Sequence, residues 1–481
     1  MGSSFKKRGK ALTWLCLLLL QAGCSTLSPE QPAQYSASTP KVTQPTGATP
    51  AIQTVSHQEA QPSLLPARES PPGLSPEPHG PPFAGMSELS LETLAQEVLA
   101  RNPSLAQMVA AWQAASARYP QVTSLEDPML AGRVAPPSFG SNRVDAGYMV
   151  EVSQKFPFPG KLGLRGENAL SEASASGHDV EDVRLQLIES VQDAFYEYYL
   201  VERGLEVNAD GLKFWQQTKK DAASRYETGK VDQQDVLQAD VEFGREQERR
   251  LTLEETKQIS IARINTLMHL PPDSALPPSP KDVRLADGLP EVQVLRDTAL
   301  ARRPDLKALA DRIQAEQATL ALAHREFYPD FEVSAGYDTI MGNGPMRDLA
   351  PQVGVRLNVP LYKARRYGAV NEAQAKIAQR QAELARQTDQ VNFQVQEAYE
   401  KVRKSEKAVR LYKDTILPAA ELNAKAARTA YVAGKITALS RIEAERNLVS
   451  LRDRYFEAIA NYFRRRATLE RVIGGPLARP E

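Results

Sequence analysis

Cysteine is almost missing from this chain of 481 residues: the two it has, Cys16 and Cys24, both fall within the first 24 positions. The rest of the chain can therefore build neither a disulfide framework nor a thiolate metal centre. Histidine is as scarce. His57, His79, His178, His269 and His324 are scattered singly, never at three- or four-residue helical spacing, so no imidazole metal site is expected. Neither charge sign is in excess, with 59 Lys and Arg against 59 Asp and Glu, and nothing in that balance draws nucleic acid. No stretch reaches the roughly 18 consecutive apolar residues that carry a helix across a bilayer. A Gly-rich phosphate loop, a nucleophile elbow and a Ser/His/Asp constellation are all lacking. Paired acids such as Glu181-Asp182 and Glu254-Glu255 sit in highly charged helical stretches, where a solvated face explains them better than acid/base work. No enzyme is expected, and no cofactor.

What is present begins with an address. Lys6, Lys7, Arg8 and Lys10 precede an apolar run, Ala11 to Leu20, and small residues then lead to Cys24. This reads as a secretory signal over residues 1–23. Leu20-Gln21-Ala22-Gly23-Cys24 resembles a bacterial lipoprotein box, with Gln21 where an aliphatic residue is usual; the resemblance implies that Cys24 is lipidated and that Ser25 is compatible with transfer to the outer membrane. Residues 24–86 hold 13 of the 34 prolines and only Lys41 and Arg68 as basic residues. Such a composition buries no core and reads as a flexible tether.

The remainder is one unit written twice. Leu99-Ala100-Arg101-Asn102-Pro103-Ser104-Leu105 returns as Leu300-Ala301-Arg302-Arg303-Pro304-Asp305-Leu306, and Tyr226-Glu227-Thr228-Gly229-Lys230-Val231 as Tyr431-Val432-Ala433-Gly434-Lys435-Ile436. A tandem duplication follows, with repeats at 87–281 and 282–475 and a short tail, 476–481. Each repeat reads as a helix, two strands, a very long helix, a Gly-marked turn and another long helix.

The strands declare themselves by a two-residue period. Tyr148, Val150 and Val152 alternate with Met149, Glu151 and Ser153 within 145–156; Val353, Val355, Leu357 and Val359 alternate with Gly354, Arg356, Asn358 and Pro360; Phe331, Val333, Ala335 and Tyr337 share a face within 331–339. Met129 to Ala135 is the fourth segment, and the loops between partners run from 136 to 144 and from 341 to 350. The helical stretches 162–226 and 363–431 are each about 100 Å long at 1.5 Å per residue, the second bent or interrupted near Pro418. Val370, Ile377, Leu384, Val391 and Ala398 fall seven apart, then Val395, Val402, Val409 and Ile416 do so on a displaced seam. These are coiled-coil core positions. The fold class is mainly α with a small β part.

Four strands cannot close a barrel, because an open edge leaves backbone groups bare in lipid. Three copies give 12 strands, enough to close around a lumen, so a homotrimer is expected if the strands enter a membrane, with a barrel of long helices beyond it.

The duplicated body resembles the TolC-like outer-membrane efflux protein family, through its Tyr-x-x-Gly-Lys turns and Asn-Pro or Arg-Pro starts. The stretch Val152 to Lys161, with its Phe156-Pro157-Phe158-Pro159-Gly160 and the following Leu164-Arg165, resembles the branch serving heavy-metal cation pumps of the cobalt-zinc-cadmium type. The resemblance implies a trimeric conduit through outer membrane and periplasm, joined to a periplasmic adaptor protein and an inner-membrane pump of the resistance-nodulation-division class. It places Pro157, Pro159, Gly160 and Pro360 at strand-to-helix bends. Asp232, Asp235, Arg441 and Glu443 become candidates for the periplasmic aperture, and Gly229, Lys230, Gly434 and Lys435 for adaptor contacts, although the glycines also suit the turns themselves. Where the family often carries an inner acid in the second repeat, this chain has Ser440. Other readings are a duct for drugs or for type I protein secretion, and a lipid-anchored coiled-coil scaffold without a pore. An adaptor is less fitting, since one would carry a single hairpin.

Overall fold

The computed structural model describes residues 83, 85–135, 147–229, 231–283, 285, 288–338 and 350–477. Cys24, the leader, nearly all of 24–86, Lys230 and both inter-strand loops lie outside the described residues. The chain enters through α1 (Leu91–Arg101), α2 (Pro103–Ser116) and the short α3 (Arg118–Thr123), then β1 (Met129–Ala135) and β2 (Gly147–Phe156). Next come α4 (Lys161–Glu227), of 67 residues, and α5 (Gln233–Leu267). The same order then returns as α6 (Val292–Arg302), α7 (Pro304–Arg325), β3 (Phe331–Asp338), β4 (Ala350–Leu357), α8 (Lys363–Leu411), α9 (Leu417–Val432) and α10 (Ala438–Val472).

Equivalent positions in the two passes do equivalent work. Asn102 caps α2 by accepting the amide of Ser104 at 2.9 Å, beside Pro103 in the first turn, and its amide nitrogen donates to the carbonyl of Leu267 at the end of α5, also at 2.9 Å. This is a capped helix start of the usual kind. Arg303, its counterpart, reaches the carbonyl of Val472 at the end of α10 at 3.4 Å while holding Asp305 through two bonds. In both passes the first helices are thereby fastened to the last.

The heptad positions are core, as their spacing predicts. Val391, Val395, Val402 and Val409 on α8 are fully buried, as are Val191 and Tyr198 on α4 and Tyr462 and Leu469 on α10. The stretch expected as one helix over 363–431 is broken by a π-helical turn, Tyr412–Ile416. Pro418 sits just beyond it, near the start of α9. Proline has no amide hydrogen to give to the preceding turn, and the wider turn is how the helix accommodates this.

All four strands form one antiparallel sheet in the order β1-β2-β3-β4. Phe156 pairs with Phe331, so β2 and β3 join the two passes. β4 ends at Leu357, before Val359 and Pro360: Asn358 leaves the ladder and exchanges bonds with Asp330 at 2.7 and 3.2 Å. Among the long helices, α5 packs on α4, α4 on α10, and α10 on α8 and α9. Both layers thus end on one element from each pass: β1 and α5 on one side, β4 and α8–α9 on the other.

Candidate duct wall and helical tip

Register assigns every strand residue to one of two unlike faces. Leu130, Val152, Ala335 and Val353 lie in one paired row, flanked by rows containing Val150 with Tyr337 and Val333 with Val355. Val353 is 81% exposed and Leu130 75%. On the opposite face, Ser153, Ser334 and Gly354 make one row, and Glu151, Gly336 and Gln352 another. There Arg356 bridges Glu151 at 2.9 Å and Glu332 at 3.1 Å. A sheet with one bare apolar face and one charged face is what a wall between lipid and water requires. Gly336 is needed for the close approach of strands, because a Cβ there would lie 2.3 Å from the carbonyl oxygen of Val150.

Below the sheet, the bend runs through Pro157, Phe158, Pro159 and Gly160. Gly160 has φ +91°, a left-handed conformation that other residues adopt with strain. Pro360 lies in the short link from β4 to α8. Sequence reading did not single out Lys161, which is 1% exposed and donates to Asp330 at 2.8 Å, to the carbonyl of Tyr328 at 3.3 Å and lies 3.5 Å from Glu326. The amide of Phe158 also donates to Asp330, at 2.8 Å. Both exits from the sheet, after β2 and after β4, are therefore gathered on Asp330.

At the far end, two similar turns join α4 to α5 and α9 to α10. Gly229 and Gly434 take φ +68° and +69°, and their amides bond to the carbonyls of Tyr226 and Tyr431, the helix-ending pattern that favours glycine. Thr437 caps α10 through the amide of Ser440 at 3.3 Å. Asp232 stands at the start of α5 without a side-chain cap bond, and Asp235 follows in the first turn. Partial burial, then the charge of Asp232, push the Asp235 carboxyl above its ordinary value. Asp232, Glu443 and Lys435 are exposed, as are both glycines. Arg441 is different. It is half-buried between the rings of Phe214 and Tyr431, 5.4 and 5.1 Å from their centroids, and donates to the hydroxyl of Thr218 at 3.1 Å.

Two further guanidiniums extend this stack: Arg428 lies over Phe214 at 5.2 Å and Arg225 over Tyr431 at 4.9 Å. Arg428 is in turn held by Glu445, which is buried. The result is an alternating column of three arginines and two rings fastening α4 to α9 and α10. Of the aperture candidates, it brings in only Arg441; Asp232 and Asp235 adjoin each other on α5. The sequence signal for the column was available but scattered, since Tyr431 belongs to the Gly-turn motif whereas Phe214 and Arg428 belong to none. Farther along, Glu242 on α5 pairs with Arg446 on α10, and Arg249 reaches Asp453 at 2.5 Å.

Among the described residues no group of three or more His, Cys, Asp and Glu side chains is gathered for a metal ion, and no helix is long and apolar enough to cross a membrane. The family model described as "Outer membrane efflux protein" matches the chain twice, over residues 94–268 and 295–475. The chain belongs to the outer membrane efflux protein family. It is 23% identical over 418 residues to the cation efflux system protein CusC of Escherichia coli, spanning 80% of this chain and 86% of that protein. It is also 24% identical over 301 residues to the cobalt-zinc-cadmium resistance protein CzcC of Cupriavidus metallidurans, spanning 61% of this chain and 68% of that one. A crystal structure of CusC, reported for its folding and transmembrane channel formation, superposes with a TM-score of 0.69 over 83% of this chain and 97% of that one, at 17% identity. The two-faced sheet is the outer-membrane element of this family member, and the long helices extend from it.

Proposed function

We propose that three copies of this chain close into a passive duct that exports heavy-metal cations across the outer membrane. The observation that carries this reading is the pair of free edges. β1 and β4 are left open in the sheet, and α5 and α8–α9 are left open among the helices. A backbone edge bare in lipid is costly, and a head-to-tail contact repeated around a threefold axis joins β1 of one subunit to β4 of the next, giving 12 strands. The helical edges suit the same contact. Leu237, Val241, Leu251 and Ile259 are exposed on α5, and Leu411, Leu422 and Val432 on α8–α9. Exposed Glu248 and Glu255 accompany the first set, exposed Lys404 and Lys425 the second.

In this reading the exposed Asp232 and Glu443 face the aperture, with Asp235 behind them, and the arginine–aromatic column holds the tip shut. Gly229, Lys230, Gly434 and Lys435 present the tip to a periplasmic adaptor, which connects the duct to an inner-membrane pump of the resistance-nodulation-division class. Cys24 carries the lipid, residues 1–23 being removed, and 24–86 tether it to the two repeats at 87–281 and 282–475. The duct performs no chemistry of its own. Metal cations are favoured as cargo over drugs or proteins because CusC and CzcC are named for cation efflux and cobalt-zinc-cadmium resistance.

Deletion of the gene tests this directly. Growth on graded copper, silver, cobalt, zinc and cadmium should become more sensitive, with restoration by the intact gene; unchanged sensitivity to every metal, while the pump is expressed, overturns the cargo assignment. A purified particle containing a single subunit would overturn the duct itself.

A further inference from the structure

The apolar row of β4 continues after its hydrogen-bonded ladder stops. Beyond Val353, Val355 and Leu357 come Val359 and Leu361, the latter 74% exposed, and the row ends on Tyr362, 83% exposed. Lys363, Arg365 and Arg366 follow immediately, and no acid occurs until Glu372. These cations occupy the first turn of α8, where the helix dipole disfavours them, so helix formation does not account for their presence.

The end of α7 is pressed against the same turn. Arg366 donates to the carbonyl of Glu326 at 2.6 Å and to that of Tyr362 at 3.2 Å, and Phe327 meets Tyr367 edge-on at 5.2 Å. Arg325, next to Glu326, belongs to this elbow. Its two carboxylates, Glu326 and Asp330, both face Lys161. Lys363, Arg365 and Arg325 are exposed and have no side-chain partner among the described residues. Positive charge at the elbow is thus uncompensated, and it lies where an exposed apolar row gives way to tyrosine. That sequence of surfaces matches a chain passing from hydrocarbon into the phosphate layer of a membrane.

We propose that this elbow binds the phosphate of an anionic phospholipid in the leaflet facing the periplasm. Lys363 and Arg365 supply charge, Arg366 is oriented by the two carbonyls it holds, and Tyr362 lies against the glycerol and upper acyl region. The inference rests on the outer-membrane reading above and adds to it a preference among lipids.

The test uses full-length protein, stripped of lipid in detergent and offered phosphatidylglycerol or phosphatidylcholine, with bound lipid per chain read by native mass spectrometry. Wild type should retain phosphatidylglycerol in preference, and Lys363→Gln with Arg365→Gln should weaken that preference roughly fivefold per charge removed. Lys363→Arg with Arg365→Lys should restore it. Equal retention of the two lipids by wild type, which needs no variant to fold, overturns the proposal; so does a folded Gln variant that keeps the preference. Inorganic phosphate at matching concentration should leave the lipid bound, and displacement would assign the site to a free anion instead. Planar-bilayer conductance of the same protein, with its tip opened by mutation, separates the two readings. Conductance without lipid preference overturns the elbow alone, whereas its absence counts against the duct.

Discussion

Lys161 Nζ lies 2.8 Å from Asp330 Oδ1, tying the first residue of α4 to the last residue before β3. The two are 169 positions apart in sequence. One belongs to the first pass through the fold and the other to the second, and with the amide of Phe158 they set the angle at which helices leave the sheet. Replacing Lys161 by Met leaves a partly buried carboxylate without its cation. Loss of one partner from such a pair costs roughly 3 kcal/mol, and thermal unfolding of the purified protein should report it. Lys161→Met combined with Asp330→Asn should cost less than the sum of the two single changes.

Acid should loosen the helical body before it disturbs anything else. Burial alone would raise the carboxyls of Glu202 and Asp305, yet both are held below their ordinary values of 4.5 and 3.8. The backbone amide of Ser279 and Lys257 do this for Glu202, and Arg303 with Gln387 for Asp305. A depressed carboxyl contributes stability that is fully present above its ordinary value and is lost as pH falls through its folded value. Unfolding monitored by circular dichroism should therefore show constant contributions from these groups above about pH 5, and a decline beginning near pH 4.5. Glu202→Gln should flatten the upper part of that decline.

The tip column gives a functional prediction. Arg441→Ala removes the guanidinium shared by Phe214 and Tyr431, each contact being worth about 0.5–2 kcal/mol depending on how dry it is. With the column broken, α10 is less firmly held to α4. Single-channel recordings in planar bilayers should show a higher open fraction than wild type, while Arg441→Lys should fall between the two.

Charge placed on opposite faces of the sheet should have opposite consequences. Val353→Arg puts a cation on the apolar face and should cost about 2–4 kcal/mol if the position sits near mid-bilayer, seen as reduced outer-membrane yield. Arg356→Gln, on the charged face, should leave assembly intact and alter the cation-to-anion permeability ratio, because Glu151 and Glu332 then lose their counter-ion.

Anchoring is tested separately. Cys24→Ser should abolish labelling by a fatty-acid probe and leave the number of strands available for closure unchanged. Partial retention of metal resistance in that variant would assign the lipid to delivery and the sheet to transport.

Much of this architecture could be read before any coordinates. Period-two alternation located all four strands because each has one wet and one apolar face, and the spacing of Val391, Val395, Val402 and Val409 located a seam that is fully buried. Turn positions were legible through Gly229 and Gly434, whose backbone angles demand glycine. Lys161 escaped notice because a lysine beside a glycine carries no periodic signal; its partner lies in the other half of the chain. The same holds for Arg441, which local sequence presents as a solvated charge. Only the packing of α4 against α10 brings Phe214 within reach and turns that residue into a clamp. Long-range polar pairs are the part of a fold that local pattern reveals least.

The π turn at Tyr412–Ile416 bears on the phase of everything after it. One extra residue is wound into the helix there, and each residue corresponds to about 100° of rotation. Ala420, Ala424 and Tyr431 face α10 in α9 only because this added residue resets the angular bookmark after the seam of α8. Deleting one residue between 412 and 416 would yield a smoother rod whose lower third points the wrong way, with Tyr431 swung off the arginine that it covers.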